Sequence, residues 1–429
     1  MKIMFLIAFF FMEFSFAQNT VIIDTTNHDY RASLKEFYAS QTIINQAVLE
    51  VGMSRKIRNQ FEKMYLDNKK DFISLIDKGV FFESKNYSSL FETIFERLKN
   101  NNSELASSEI KLLLGFSDES NAYNNGENIV VINLPLLRDL KNEYQLAFVI
   151  SHEIAHQKLN HVHEGIVKRL NKYNSEELLK KTKSIDKQKF NKGALASELM
   201  RNLVYGDRKE SRKKEIAADS LGYLYFSKAY PDFNLQAVEA LQILKNIDVA
   251  TDSLSKSDFI KIFNSQNLKF NEEWLKSDLV NNYNYQKDKK KYDVDSLRTH
   301  PDCDVRISLL TKTFNIKSIS QKIESGTYEV SKKEIDKEYV FGLYFIEEYG
   351  KSLYHSLLKY KQDLGDTYYR NMIYENLIKL REYRMNYTLN KYLETENPNF
   401  SEGYNQFLNF IRNLRRNELN ELILNFTKS

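Results

Sequence analysis

The chain has 429 residues, with 62 Lys and Arg against 58 Asp and Glu, for a net charge of +4. This near-balance gives no overall nucleic-acid footprint, although a local basic face is compatible with it. Apolar residues at 42% and aromatics at 13% exclude a disordered chain, while only 13 Gly and 4 Pro argue against a sandwich, a propeller or a linker-rich array and for long helices.

Residues 1–17 read as a secretory signal. Lys2 supplies the positive start, Ile3 to Met12 is a ten-residue apolar run, and Ser15-Phe16-Ala17 is a small-x-small cleavage site before Gln18. The run is too short to span a bilayer, which takes about 20 residues, and nothing after it is longer. The expectation is an exported chain, periplasmic or secreted, with no integral membrane segment once mature. Cys303 is the single cysteine, so no intramolecular disulfide is available and the fold must hold by packing.

Residues 18–84 form an N-terminal helical region. Between Leu34 and about Asn100, Phe37, Ile44, Val48 and Val51 recur at helical spacing, as do Leu90, Ile94, Phe95 and Leu98. Lys111 to Phe116 then predicts a short strand. Ile129 to Asn133 predicts a stronger one after the turn formers Asn124-Asn125-Gly126. Pro135 starts a helix, and a buried helix runs from about Asn142 to Val162 through Leu146, Val149, Ile150, Ile154 and Leu159. Residues 168–192 are lysine-rich with weak periodicity, an exposed helix or insertion. Another helix spans about Glu210 to Ala229 and stops before Pro231. The run Lys287 to Lys291 reads as a solvated loop. From Ser320 onward the pattern is helical, with Tyr344, Tyr349, Tyr354, Leu358, Tyr368, Tyr369, Tyr374 and Leu377 recurring. That texture suits degenerate tetratricopeptide-like hairpins, yet no clean 34-residue repeat is visible, and a helical capping region fits equally.

Chemistry concentrates in Ser151-His152-Glu153-Ile154-Ala155-His156. Four of the seven histidines lie between positions 152 and 163. His152 and His156, four apart on a helix, share a face and can grip one Zn2+, while Glu153 can reach a water on that ion. A catalytic zinc needs a third protein ligand and one open position. A histidine ten residues after the first ligand would complete one common arrangement, but Val162 stands there. Two glutamates remain. Glu176 lies twenty residues beyond His156 and has Lys180 one turn on. Glu215 is followed four residues later by Asp219, so Glu215 suits a ligand and Asp219 suits the outer nitrogen of a ligand histidine. Ala217 and Ala218 permit close approach to the motif helix. Thr299-His300-Pro301 and Arg306-Ile307 add a histidine and an arginine suited to oxyanion stabilisation, or simply a helix start at Pro301.

Taken together, these residues resemble the M48 (Ste24-like) zinc metallopeptidases. The likeness runs from Asn121-Ala122-Tyr123 through Ile129-Val130-Val131 to Leu146–His156, with His161 five residues on, then Glu215-x-x-x-Asp219 and Thr299-His300-Pro301 to Arg306-Ile307. It covers about residues 85 to 312. It implies a mainly α (α+β) zincin-type core with a small sheet at 85–318, followed by a helical region at 319–429. It also implies a secreted or periplasmic branch, because the transmembrane helices of the membrane-embedded members are missing after the signal.

The expected activity is hydrolysis of peptide bonds in exported or envelope proteins. His152, His156 and Glu215 hold one Zn2+, which lowers the pKa of its water towards about 7. Glu153 is the general base, and His300 and Arg306 stabilise the oxyanion. Ile129, Val130, Val131, Ile132 and Asn133 offer an edge on which an extended substrate adds as a strand. Protein or peptide is thus the expected partner, and nucleic acid is not. The competing reading is an envelope chaperone or scaffold that binds clients on the C-terminal helices, with the protease site gated or secondary.

Overall fold

The structure is a computed structural model that describes residues 24–41, 53–188, 192–247, 252–265, 268–277, 302–317, 323, 328–329, 332–397 and 399–427. The expected signal, residues 42–52 with Ile44, Val48 and Val51, and the segment 278–301 with His300 lie outside the described residues.

Helices dominate, as the scarcity of turn formers requires. The N-terminal region supplies α1 (His28–Ser40) and α2 (Arg55–Asp77), and α3 (Lys85–Asn101) follows it, each opened by an Asn or Ser at its N-cap. Two of these caps, Asn27 and Ser54, accept a backbone N–H from the first turn. Four short strands lie between residues 81 and 133, the first before α3 and the others after it: β1 (Phe81–Phe82), β2 (Lys111–Gly115), β3 (Ala122–Asn124) and β4 (Ile129–Asn133). They form one mixed sheet in the order β1-β2-β4-β3. β2 and β4 are parallel, with Leu113 opposite Val131, while β3 runs antiparallel to β4, with Tyr123 opposite Val131. The β3–β4 connection is a tight turn. Gly126 adopts φ +85°, and the Asn124 and Asn125 side chains accept the N–H groups of Gly126 and Glu127 at 2.7 and 2.8 Å.

After β4 come α4 (Leu134–Asp139), with Pro135 in its first turn, and α5 (Glu143–Lys158). All residues of α5 from Gln145 to Ala155 are buried, so this helix is the axis of the first core. Its N-cap Asn142 accepts the N–H groups of Tyr144 and Gln145, and Glu143 complements the helix dipole. The sequence pattern predicts one helix to Val162. Instead, Asn160 turns left-handed at φ 54°, a conformation Asn tolerates, and a separate helix α6 (His161–Tyr173) begins.

α7 (Glu176–Asp186) leads into α8 (Lys192–Ala229), a single 38-residue helix that absorbs the predicted helix at 210–229. α9 (Leu235–Asn246), α10 (Lys256–Phe263) and α11 (Cys303–Phe314) complete the middle of the chain. The C-terminal part contains α12 (Ile335–Phe345), α13 (Tyr349–Tyr360), α14 (Thr367–Met385), α15 (Glu402–Asn413) and α16 (Arg416–Asn425).

Two large cores result, and they interleave along the chain. The first joins the sheet and α5 to Tyr223 and Phe226 of α8, and it recruits Tyr328, Ile335, Tyr339 and Leu343. The second gathers Tyr349, Tyr354, Leu377 and Phe410 with Phe259, Phe263 and Trp274. Lys351 of α13 forms an ion pair with Asp118, which ties the C-terminal helices to the loop leading into β3. No helix among the described residues is long and apolar enough to cross a membrane.

Candidate metal centre

The site is built where α5 crosses α8. His152 and His156 project from α5 one turn apart, with their Nε2 atoms 3.0 Å from each other. Glu215 enters from α8: Oε2 lies 3.4 Å from His152 Nε2, and Oε1 lies 3.5 Å from His156 Nε2. A tetrahedral ion with bonds of about 2.0–2.1 Å sets its ligands about 3.3–3.4 Å apart. The three side chains therefore fit one common centre, and their two-imidazole, one-carboxylate donor set suits zinc. Glu176 and Glu210 take no part. Both are exposed and paired with lysines, Glu176 with Lys180 and Glu210 with Lys213.

The crossing is close because of a residue that the sequence pattern does not single out. A Cβ at Gly222 would lie 2.8 Å from His152 Cα and 2.9 Å from its backbone nitrogen. Ala218 is fully buried at the same contact, whereas Ala217 is exposed.

Behind the ligands lies a chain of buried charge. His152 Nδ1 is 3.0 Å from Asp219 Oδ1. Arg306, from α11, is 3% exposed; its Nε and Nη2 donate to the two Asp219 oxygens, each at 2.7 Å, and its Nη1 lies 3.2 Å from Glu215 Oε2. Burial alone would raise both carboxyls, but His152 and Arg306 outweigh it and hold Glu215 and Asp219 below their ordinary values. The reading of Arg306 as an oxyanion donor is therefore corrected. Its guanidinium is committed to two carboxylates, and it acts on the centre by orienting them.

Glu153 sits beside the centre, 9% exposed, and its carboxylate accepts the backbone N–H of Asn124. Burial pushes its pKa up to about 7, opposed by His152 and by that hydrogen bond. Gln157 fastens α5 to the β3–β4 turn, accepting the N–H of Asn128 at 3.3 Å and donating to the Gly126 carbonyl at 3.2 Å. His161 Nδ1 meets His156 Nδ1 at 3.1 Å, so the extra histidine braces a ligand ring from the next helix. Farther out, His163 Nε2 faces Glu127 at 3.1 Å, and the Tyr65 hydroxyl donates to the same carboxylate at 3.0 Å, which locks the turn to α2 and α6.

The centre opens into a cavity of about 260 Å³. One side is β3, with Ala122, Tyr123 and Asn124, and the preceding Asn121; Leu136, Phe148, Val149, Leu241 and Leu244 supply an apolar wall. The expected substrate edge moves accordingly. β4, with Ile129, Val130, Val131, Ile132 and Asn133, is paired on both sides and buried, so it has no free edge to offer. β3 is the outer strand of the sheet, and it borders the cavity. At three residues it is too short for an alternation pattern to reveal it.

Neither curated proteins nor solved structures yield a match to this chain. The model of peptidase family M48 matches residues 90–314, just over half of the sequence, and spans every residue of the centre described above. The chain belongs to peptidase family M48 and is a metallopeptidase.

Proposed function

We propose that this metallopeptidase is a zinc endopeptidase that cleaves exported or envelope proteins. The observation that carries the reading is the convergence of His152, His156 and Glu215 on one point, with Glu153 beside it and a strand edge along the cavity. A bound zinc would supply Lewis acidity, polarising the scissile carbonyl and acidifying the attacking water.

The rest falls to the chain's own residues. Glu153, oriented by the Asn124 N–H, takes the proton of the attacking water and delivers it to the leaving amine. Asp219 fixes the ring of His152, and Arg306 in turn fixes Asp219 and Glu215. An extended peptide adds to the outer edge of β3, which brings its backbone past Glu153. The apolar wall of Leu136, Phe148, Val149, Leu241 and Leu244 favours an apolar side chain next to the scissile bond. His300 is retained as a candidate oxyanion donor on its position in the sequence motif. Export rests on the signal-like first 17 residues.

The test is Glu153→Gln, assayed on casein and on a peptide library beside metal analysis. Full metal content with cleavage reduced about 10²–10⁴-fold is expected. Undiminished cleavage by the variant would remove Glu153 from the reaction.

A further inference from the structure

One stretch of the molecule contributes to neither core. From Glu176 to Met200 no described residue is buried, and α7 has no buried residue along its 11 positions. A helix of that length is marginal in water without a packed face. The stretch itself holds 6 Lys against 4 Asp or Glu, and the wider span that encloses it is the most basic part of the chain. Residues 168–214 hold 15 Lys or Arg against 6 Asp or Glu, a net of +9, which leaves −5 for the remainder.

Five of the six acidic side chains there are engaged, and the sixth, Glu198, is exposed. Glu176 pairs with Lys180, Glu177 with Lys181, Asp186 with Lys192, Asp207 with Lys172 and Glu210 with Lys213. The surplus charge, Arg169, Lys183 and Lys187 among it, is exposed. Large apolar side chains are interspersed: Tyr173, Leu179, Leu195 and Met200 are 42%, 41%, 37% and 57% exposed.

We propose that α7 and the first half of α8 form an arm that docks this molecule on an anionic lipid surface. Basic heads meet lipid phosphates while leucine and methionine enter the headgroup layer, a division of labour common to interfacial helices. The other anionic partners fit less well. Single-stranded nucleic acid is gripped by stacked aromatics, and among the described residues of the arm none is an exposed aromatic, Tyr173 lying before it at the end of α6. Protein interfaces are depleted in lysine.

The arm is continuous with the metal centre. Lys192 and Glu215 share α8, about 35 Å apart at 1.5 Å per residue. Docking by the arm thus keeps the cavity within reach of polypeptides held at the same surface. The docking itself does not depend on hydrolysis.

The experiment is co-sedimentation of the full chain with vesicles of phosphatidylcholine alone or with phosphatidylglycerol added, at low and high salt. Three proteins are compared: the native chain, Lys180→Glu/Lys181→Glu/Lys183→Glu/Lys187→Glu, and Leu179→Ser/Met200→Ser, each checked for native helix content by circular dichroism. The native chain should bind the anionic vesicles alone, and salt should weaken it. Charge reversal should weaken binding well beyond tenfold, at about fivefold per lysine near the surface, and the apolar variant should lose a few-fold. Equal binding to neutral vesicles, or no binding, overturns the proposal. So does binding that survives charge reversal, which would belong to the apolar run at residues 3–12 instead. Retention on polyglutamate or a single-stranded oligonucleotide, with none on vesicles, assigns the arm to another partner.

Discussion

The two halves of α8 share one backbone and differ in almost everything else. From Glu215 to Ala229 the helix faces inward, with Asp219, Tyr223 and Phe226 buried and Gly222 pressed against His152. From Lys192 to Met200 no described residue is buried, and the segment around it is strongly basic. Helical continuity is thus no sign of common purpose. One half is held by contacts the chain makes with itself, and the other presents chemistry that the chain does not satisfy. Substitutions should therefore be costly at one end and silent for stability at the other.

The largest effect is expected at Arg306. Arg306→Leu leaves Asp219 and Glu215 buried without their cation, and removal of one partner from such a network costs about 3–5 kcal/mol. Chemical denaturation should show it as a lower midpoint. Gly222→Val comes next. Its side chain meets the His152 backbone, so the α5–α8 crossing must widen, at about 1–3 kcal/mol and with loss of bound metal.

Glu338 sharpens the contrast from outside α8. It is 4% exposed, and among the described residues no arginine pairs with it as Arg306 does with Asp219; burial, with Glu334 nearby, raises its pKa to about 7 against the Tyr87 hydroxyl. Because the folded value lies above the ordinary 4.5, its contribution to stability is complete below about pH 4.5 and is lost as pH rises through 7. Urea midpoints should decline over that window, and Glu338→Gln should flatten the decline. The smallest effect belongs to the arm. Without lipid, Leu179→Ser/Met200→Ser should shift stability by no more than about 0.5 kcal/mol per site.

Much of the metal centre is legible in the sequence because its determinants are local. Two histidines one turn apart announce a shared face, and the Glu215–Asp219 pair announces another. What escaped depends on which faces meet. Nothing near Gly222 says that this turn of α8 touches His152. Arg306 is visible as a cation near a motif, but its pairing with Asp219, 87 residues away, exists only in the fold. β4 is plain from its run of β-branched residues, yet its place between β2 and β3 follows from a parallel crossover that leaves no local mark, so the sequence pattern points to β4 where the free edge belongs to β3. The left-handed Asn160 breaks a helix whose apolar periodicity continues to Val162.

The metal content of the purified protein, measured for the native chain and for Glu215→Ala, tests the centre most directly. One equivalent of zinc in the native chain and its loss in the variant are the predicted results. A full equivalent retained equally by both would contradict the account, because the carboxylate from α8 would then have no part in holding the ion.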